Sequence, residues 1–274
     1  MSGLIEATVV ETERGARCRV TMAGPADGVP IVFLHGAVGP VGQESFLSSL
    51  ADAGLRVFAP ELPGYGESTG EDLLEDMLDF TLHGWDLVDA LGIDQPVLVG
   101  HSMGGMIAAE MAVVSNLRPQ AVVLIAPTGL WDDDHPIPDL FSLLPFQFAP
   151  LLFADEALGA SLLTGGLDFT DMEALKDFFV LNARRLGTAG KILFPIPNRR
   201  LSKRLYRLRA PALVVWGDAD RYHPPIYADR WHSLIPHADV KVLHGAAHMI
   251  PHEQSADLAA EITGFLATTL LPPR

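Results

Sequence analysis

The sequence predicts an α/β protein, a mostly parallel sheet with helices on both faces and one helical insertion. Two observations predict this class. Short apolar segments of strand length alternate with amphipathic helical segments along most of the chain, which is typical of parallel strands buried on both faces. The alternation breaks after the predicted strand that ends at Ile125, because residues 128–208 contain no convincing strand. We therefore expect an α/β core of residues 1–127 and 209–274 and a helical cap of residues 128–208.

The individual elements follow from hydrophobic periodicity and from the turn residues between them. The clearest helix runs from Glu71 to Leu91, where apolar residues recur at spacings of three and four, and we expect it to end at Gly92. The predicted strands are residues 4–12 and 16–23, which form a hairpin, and residues 31–34, 56–62, 96–99, 121–125, 213–216 and 239–243. The other predicted helices of the core are residues 44–53, 103–114, 225–235 and 254–271.

Composition excludes several classes of protein. The 274 residues are 49% hydrophobic and 19% charged, which suits a packed core and excludes a disordered chain. The net charge of −15 repels phosphate backbones and anionic lipid, so we expect neither a nucleic-acid nor a membrane partner. Cys18 is the only cysteine, which excludes an intramolecular disulfide and a structural zinc site built from cysteines. With no signal-peptide pattern and no long apolar run, a cytoplasmic protein is expected.

One stretch departs from the acidic average. Residues 199–209 hold six basic residues and no acid, with Leu201, Leu205 and Leu208 at helical spacing between them. A solvated helix face is the simpler interpretation, and anion binding is the alternative.

The strongest chemical signal is Gly100-His101-Ser102-Met103-Gly104, followed by Gly105. It lies directly between an apolar strand and a helix, which is the context that a G-x-S-x-G nucleophile elbow requires. In such an elbow the serine hydroxyl is presented at the edge of the sheet, and the glycines relieve the close approach of strand and helix. We therefore predict that Ser102 is a nucleophile.

A serine hydroxyl needs a base, and His248 is the best of ten histidines. It follows the predicted strand 239–243, and it comes far after Ser102 in the chain, as the order Ser…Asp…His demands. His244 and His252 remain as fallbacks. His101 is expected to line the substrate pocket.

The base in turn needs a carboxylate. Trp216-Gly217-Asp218-Ala219-Asp220 follows a predicted strand, and both aspartates are within reach by sequence. A position past the strand end favours Asp220, whereas Asp218 is suited to bonding the N–H groups of the turn. A third, weaker source is the acidic run of residues 132–134, which we interpret mainly as the polar entry to the insertion.

An oxyanion hole needs two N–H donors, and one of them is expected from the loop after the first parallel strand. Leu34-His35-Gly36-Ala37 ends that strand. We predict the backbone N–H groups of Ala37 and Met103 as the pair.

Taken together, these motifs resemble those of the α/β-hydrolase fold family, in its capped single-domain branch of serine hydrolases and esterases. The resemblance rests on His35-Gly36, Leu62 to Ser68, Gly100 to Gly105, Gly217 to Asp220, and Ala247-His248 followed by Glu253. It implies an eight-stranded sheet with one antiparallel strand near the start, a helical cap, no metal and no organic cofactor, and it places the acid at Asp220. Glu61 and Ala247 depart from the usual Asp and Gly, but neither belongs to the predicted chemistry.

The predicted reaction is hydrolysis of a small to medium apolar carboxylic ester through an acyl-enzyme, with a small molecule as the only expected partner. The insertion is rich in phenylalanine, which suits cap packing and also an apolar pocket. We predict Phe141, Phe146 and Arg184 as further pocket residues.

Two alternatives stay open. The Gly-x-Ser-Met-Gly-Gly elbow is also similar to that of C–C bond hydrolases acting on vinylogous diketones, for which Arg184 or Arg185 could hold a substrate carboxylate. A ligand-binding protein on the same scaffold, without turnover, is the second alternative. The sequence leaves the oligomeric state open.

Overall fold

Eight strands form one sheet in the computed structural model, which describes residues 5–115, 119–194 and 200–270. Their spatial order is β1-β2-β4-β3-β5-β6-β7-β8. Strand β2 is antiparallel to both of its neighbours, and every other neighbouring pair is parallel, so the predicted sheet is confirmed. The strands are β1 (Glu6–Glu11), β2 (Arg17–Ala23), β3 (Pro30–Leu34), β4 (Arg56–Pro60), β5 (Val97–His101), β6 (Ala121–Ile125), β7 (Ala212–Gly217) and β8 (Asp239–Leu243).

Helices cover the sheet in two groups. Helix α1 packs against α9, and α2 packs against α3, which also contacts β3, β5 and β6. Every residue of β5, β6 and β7 is buried, as expected of strands with helices on both faces. The helices are α1 (Glu44–Asp52), α2 (Met77–Ala90), α3 (Met103–Val114), α4 (Phe148–Leu152), α5 (Glu156–Thr164), α6 (Met172–Leu193), α7 (Ile226–Leu234), α8 (Ile250–Glu253) and α9 (Ser255–Thr269).

The long helix predicted from Glu71 to Leu91 is shorter in the structure. A 3₁₀ turn at Glu71–Leu73 is followed by extended backbone, and α2 begins only after Asp76. The Asp76 carboxylate caps the helix by accepting hydrogen bonds from the N–H groups of Leu78 and Asp79. Periodicity alone missed this break because the cap is an ordinary polar residue inside an apolar repeat.

The segment between β6 and β7 contains helices α4, α5 and α6 and no strand among its described residues. Whether residues 128–208 form a separate cap unit stays a prediction. The basic stretch is not the helix expected: Leu201–Lys203 and Leu205–Arg207 are two 3₁₀ turns. Leu201, Leu205 and Leu208 are buried nonetheless, and Arg204 pairs with the buried Glu110. Arg199 lies outside the described residues.

The parallel strands set the place of the site. Gly100 of β5 is level with Leu34 of β3 and with Leu124 of β6, and Gly217 of β7 is level with Leu243 of β8. The loops that follow these strands therefore leave the sheet at one edge. Among the described helices, none is long and apolar enough to cross a membrane.

Candidate active site

Ser102 occupies a strained turn between β5 and α3. Its φ of 54° and ψ of −117° fall in a region that residues with a side chain rarely adopt. Its N–H donates to Ile125 O at 2.9 Å, and its carbonyl accepts from Met106 N and Thr128 N, both at 3.1 Å. Three backbone hydrogen bonds thus hold the strained conformation.

Glycine is required on both sides of this turn. A Cβ at Gly100 would lie 2.2 Å from the carbonyl oxygen of Gly104, and a Cβ at Gly104 would lie 2.1 Å from the carbonyl oxygen of Leu34. Both distances are far below van der Waals contact with backbone atoms that cannot move aside. The expectation that these glycines allow strand and helix to approach closely therefore has a steric basis at each position.

His248 and Asp220 meet Ser102 at the carboxyl edge of the sheet. Nε2 of His248 lies 2.8 Å from Ser102 Oγ, and Nδ1 lies 2.9 Å from Asp220 Oδ2. Oδ1 of Asp220 accepts from the N–H groups of Tyr222 at 2.9 Å and His223 at 2.8 Å. Each oxygen of the carboxylate therefore has a defined partner, and the three side chains form one hydrogen-bonded chain.

Burial governs the electrostatics of this chain. Ser102, Asp220 and His248 are each at most 4% exposed. Desolvation lowers the pKa of His248, so the imidazole is neutral at pH 7 and able to accept a proton. Desolvation also raises the pKa of Asp220, while the nearby His223 and the two backbone N–H donors oppose that rise. The neutral base, with Nδ1–H donating to Asp220, is the protonation state that proton abstraction from Ser102 requires.

The loop that carries His248 is held at the residues on either side of it. Glu253 accepts from Ala247 N at 2.9 Å, and its other oxygen accepts from Ala154 N at 2.5 Å. Met249 N donates to Leu152 O at 3.1 Å. The histidine loop is thus attached to the segment between β6 and β7 as well as to the core.

The fallback residues lie elsewhere. His244 is exposed and pairs with Asp218 at 2.5 Å, and Asp218 also accepts from Gly245 N at 2.7 Å. Asp132 forms an ion pair with Arg230. His252 is partly buried, and its Nδ1 has no hydrogen-bond partner among the described residues. In the described structure the side-chain hydrogen bond to Ser102 Oγ comes from His248 and from none of these residues.

The loop predicted to supply one oxyanion donor is hydrogen-bonded to side chains of other segments. Tyr65 donates to Ala37 O at 3.1 Å, and Arg185 donates to Val38 O at 3.0 Å. His35 Nε2 accepts from Leu62 N at 3.1 Å, which ties this loop to the one after β4. Ala37 lines the cavity above Ser102. The donor role of the Ala37 and Met103 N–H groups stays a prediction.

Two neighbouring cavities share Tyr222 as a wall. The cavity at Ser102 measures about 10 Å³, room for about one water molecule. The second, of about 50 Å³, is apolar. The first is lined by Gly36, Ala37, Val38, His101, Ser102, Leu140, Leu152, Tyr222, His248 and Met249. The second is lined by Met106, Thr128, Gly129, Leu130, Trp131, Ile137, Phe141, Ile192, Leu193, Tyr222 and His223.

Two of the four predicted pocket residues line one of these cavities, and two line neither. His101 lines the cavity at Ser102, and Phe141 lines the apolar cavity. Phe146 is 73% exposed and lines neither of these cavities. Arg184 also lines neither, because its guanidinium is paired with Glu71 at 2.6 Å and bonds the carbonyls of the loop after β4. The pocket prediction needs correction at these two positions.

Sequence reasoning missed Tyr222, which lines both cavities; its ring is perpendicular to the His248 ring, with the two ring centroids 4.9 Å apart. Its position two residues after Asp220 was the available signal, since the turn that places the acid also places its successors. No group of three or more His, Cys, Asp or Glu side chains within the described ranges is arranged to hold a metal ion.

Comparison with known proteins agrees with this architecture. A family model described as alpha/beta hydrolase fold matches residues 29–255. The chain is 30% identical, over 89% of its length, to the dihydrolipoyllysine-residue acetyltransferase component of an acetoin cleaving system from Pseudomonas putida. It spans only 65% of the length of that relative and of the same component from Cupriavidus necator.

Two further proteins match over nearly their whole length. A 2-hydroxy-6-oxo-6-phenylhexa-2,4-dienoate hydrolase from Burkholderia cepacia is 28% identical, with 97% of this chain and 99% of the relative covered. The solved structure of a carboxylesterase from Bacillus subtilis has a TM-score of 0.71 at 21% identity, with 97% of this chain and 92% of that chain covered. At this identity the structural likeness concerns the fold.

Proposed function

Because the chain belongs to the alpha/beta hydrolase fold family, we propose that it is a hydrolase and that it cleaves a small to medium apolar carboxylic ester through Ser102, His248 and Asp220. The observation that carries the proposal is the chain of hydrogen bonds from Ser102 Oγ to His248 at 2.8 Å and from His248 to Asp220 at 2.9 Å. Nucleophile, base and orienting acid within hydrogen-bond reach are the signature of covalent acyl transfer.

In the first half of the reaction, Ser102 Oγ attacks the ester carbonyl while His248 Nε2 takes its proton. Asp220 holds the imidazole in the required tautomer and stabilises the imidazolium that forms. The negative charge on the carbonyl oxygen is stabilised by the N–H groups of Ala37 and Met103. The imidazolium then protonates the leaving alcohol, and an acyl-enzyme remains on Ser102.

In the second half, a water molecule replaces the alcohol. His248 removes a proton from the water as it attacks the acyl carbonyl, and returns the proton to Ser102 Oγ as the acid leaves. The same three side chains serve both halves, because the two steps are chemically the reverse of one another.

The surroundings of Ser102 support an apolar substrate. The wall of its cavity includes Val38, Leu140, Leu152 and Met249, and the neighbouring cavity is apolar as well. Leu140 and Leu152 belong to residues 128–208, which supports a cap role for that segment. The cavity at Ser102 is small, about 10 Å³, so we expect its wall to adjust when an ester enters.

The test is covalent labelling together with turnover. A fluorophosphonate probe should label the wild-type protein, and 4-nitrophenyl esters should be hydrolysed. Ser102→Ala should abolish labelling and lower kcat by about 10⁴-fold or more, with unchanged thermal unfolding. Retained hydrolysis in this variant would refute the mechanism. A folded wild-type protein that neither labels nor turns over would instead favour the ligand-binding alternative.

A second candidate reaction is hydrolysis of a C–C bond in a vinylogous diketone, and one feature favours it. Arg185 is 6% exposed, yet its hydrogen bonds run to Val38 O and to the amide oxygen of Asn182, with no carboxylate partner among the described residues. Its Nε is unpartnered within the same residues. A buried cation without an acid suits a substrate carboxylate, and a relative is named for such a reaction.

Substrate choice separates the two reactions. Purified protein should be offered 4-nitrophenyl esters and a vinylogous diketone bearing a carboxylate, under the same conditions. Hydrolysis of the esters with the diketone left intact rejects the second candidate. Cleavage of the diketone with a kcat/KM well above that for the esters would make it the principal activity.

A further inference from the structure

His101 makes a contact that its expected place in the pocket wall does not explain. Its Nε2 lies 2.8 Å from the backbone carbonyl oxygen of His248, and its ring lies 5.1 Å from the His248 ring. His101 is 3% exposed and is the last residue of β5, directly before Ser102. Since a carbonyl oxygen only accepts hydrogen bonds, Nε2 of His101 carries the proton and donates it.

This contact gives the strand end a second attachment to His248. Residues 101 and 102 are consecutive, and each bonds residue 248, one at its main chain and the other at its ring. The bonds to Ser102 Oγ and Asp220 orient the imidazole ring, and the bond from His101 adds a hold on the main chain that carries the ring. Two bonds from one rigid strand end fix the main chain and the ring of His248 together.

The electrostatics of His101 fit such a role. Burial, with the neighbouring His248, lowers the pKa of His101 well below its ordinary value, so the ring is neutral at pH 7. A neutral ring does not repel the His248 imidazolium that forms during turnover. With Nε2 protonated, Nδ1 keeps a lone pair, and a Cβ at Gly36 would lie only 3.3 Å from it.

We propose that His101 is a positioning residue, whose Nε2–H donates to the His248 carbonyl and thereby holds the imidazole in line with Ser102. This inference rests on the proposed function, since it concerns the base of that reaction. A displacement of about 1 Å at a reacting group can cost about 10²-fold in rate. Loss of the donor should therefore reduce the chemical step more than it reduces substrate binding.

The experiment compares three replacements of His101. Gln is a neutral amide whose terminal N–H reaches about as far as Nε2, Asn is the same amide one carbon shorter, and Leu has no donor. We expect His101→Leu and His101→Asn to lower kcat by about 10- to 100-fold with KM changed by less than about threefold. His101→Gln should recover most of the lost kcat. Thermal unfolding confirms that each variant is folded.

The outcomes keep this inference apart from the proposed function. Equal kcat values for Asn, Leu and wild type, or a Gln variant no better than Leu, would overturn the positioning role. A change in KM alone would do so as well, because it would place His101 in substrate binding. If Leu does not fold, the Gln and Asn pair decides the question. Failure of the wild-type protein to label with the fluorophosphonate probe would reject the reaction itself, independently of His101.

Discussion

The strand-end loops and the segment between β6 and β7 meet at Ser102, and they differ in burial and in hydrogen bonding. The strand-end loops carry Ser102, Asp220 and His248, which are at most 4% exposed and are joined by hydrogen bonds to defined partners. The segment between β6 and β7 presents apolar side chains of mixed exposure. Phe148 and Phe153 are buried, while Phe146 and Phe169 are 73% and 54% exposed.

The difference teaches where specificity has to be sought. Directional hydrogen bonds and steric strain leave the strand-end loops one arrangement, so a small change there should have a large effect. Apolar contacts in the segment between β6 and β7 are non-directional. One apolar side chain can therefore replace another of similar volume there at a modest cost in stability. The first region is thus suited to chemistry and the second to substrate size.

The largest effect of a single substitution in the strand-end loops is expected at Asp220. Asp220→Asn keeps the shape of the side chain but presents an amide to the His248 ring, which favours the wrong tautomer. We expect kcat to fall by about 10⁴-fold, with little change in thermal unfolding. Steady-state kinetics on a 4-nitrophenyl ester measures the loss. Asp218→Asn is the matched control, because Asp218 pairs with the exposed His244 and not with His248, and its kcat should stay within about twofold. Equal losses in both variants would contradict the assignment.

Acid should destabilise the strand-end loops through His35. Burial lowers the pKa of His35 to about 4, while its bond to Gly36 O partly opposes the shift. A folded-state pKa below the unfolded value of about 6.5 means that its stabilising contribution is complete above pH 6.5. That contribution is lost as the pH falls towards 4, by about 1.4 kcal/mol per pH unit.

Urea unfolding at pH 7.0 and at pH 5.5 measures this loss. In His35→Gln an amide oxygen can still accept from Leu62 N, but the proton uptake is gone. We expect the variant to lose about 1.2 kcal/mol less free energy of unfolding than the wild type over this interval, because the loss begins only near pH 6.5. Identical losses in the two proteins would show that His35 is not a source of the acid sensitivity.

The smallest effects are expected in the segment between β6 and β7. Phe141 lines the apolar cavity, whereas Phe146 is exposed. Phe141→Ala should change the ratio of kcat/KM for long against short acyl chains by about tenfold. A single methylene group in an apolar pocket already changes kcat/KM by about that factor. Phe146→Ala should leave the ratio within about twofold. A series of 4-nitrophenyl esters of graded acyl length measures both, and a larger effect at Phe146 would reverse the roles.

The candidate nucleophile, base and acid could be predicted because each follows a strand in a short motif. The choice of Asp220 over Asp218 came from its place past the strand end, and the structure pairs His248 with Asp220. Arg184 was preferred in the pocket over Arg185, yet Arg184 pairs with Glu71 at 2.6 Å and Arg185 is the buried one. Consecutive residues of a helix point about 100° apart, so only one of these two arginines can lie on the buried face of α6. The sequence of α6 alone did not indicate which of the two that is.

By itself the sequence determined the alternation of strands and helices, the turn at Ser102, and the short list of candidate partners led by His248 and Asp220, because each of these depends on a few adjacent residues. Only the tertiary structure decided that Tyr222 lines two cavities, that His101 donates to His248, and that Phe146 is exposed and lines neither of these cavities. These contacts join positions far apart in the chain, and their geometry depends on how whole elements pack, which no local pattern of residues records.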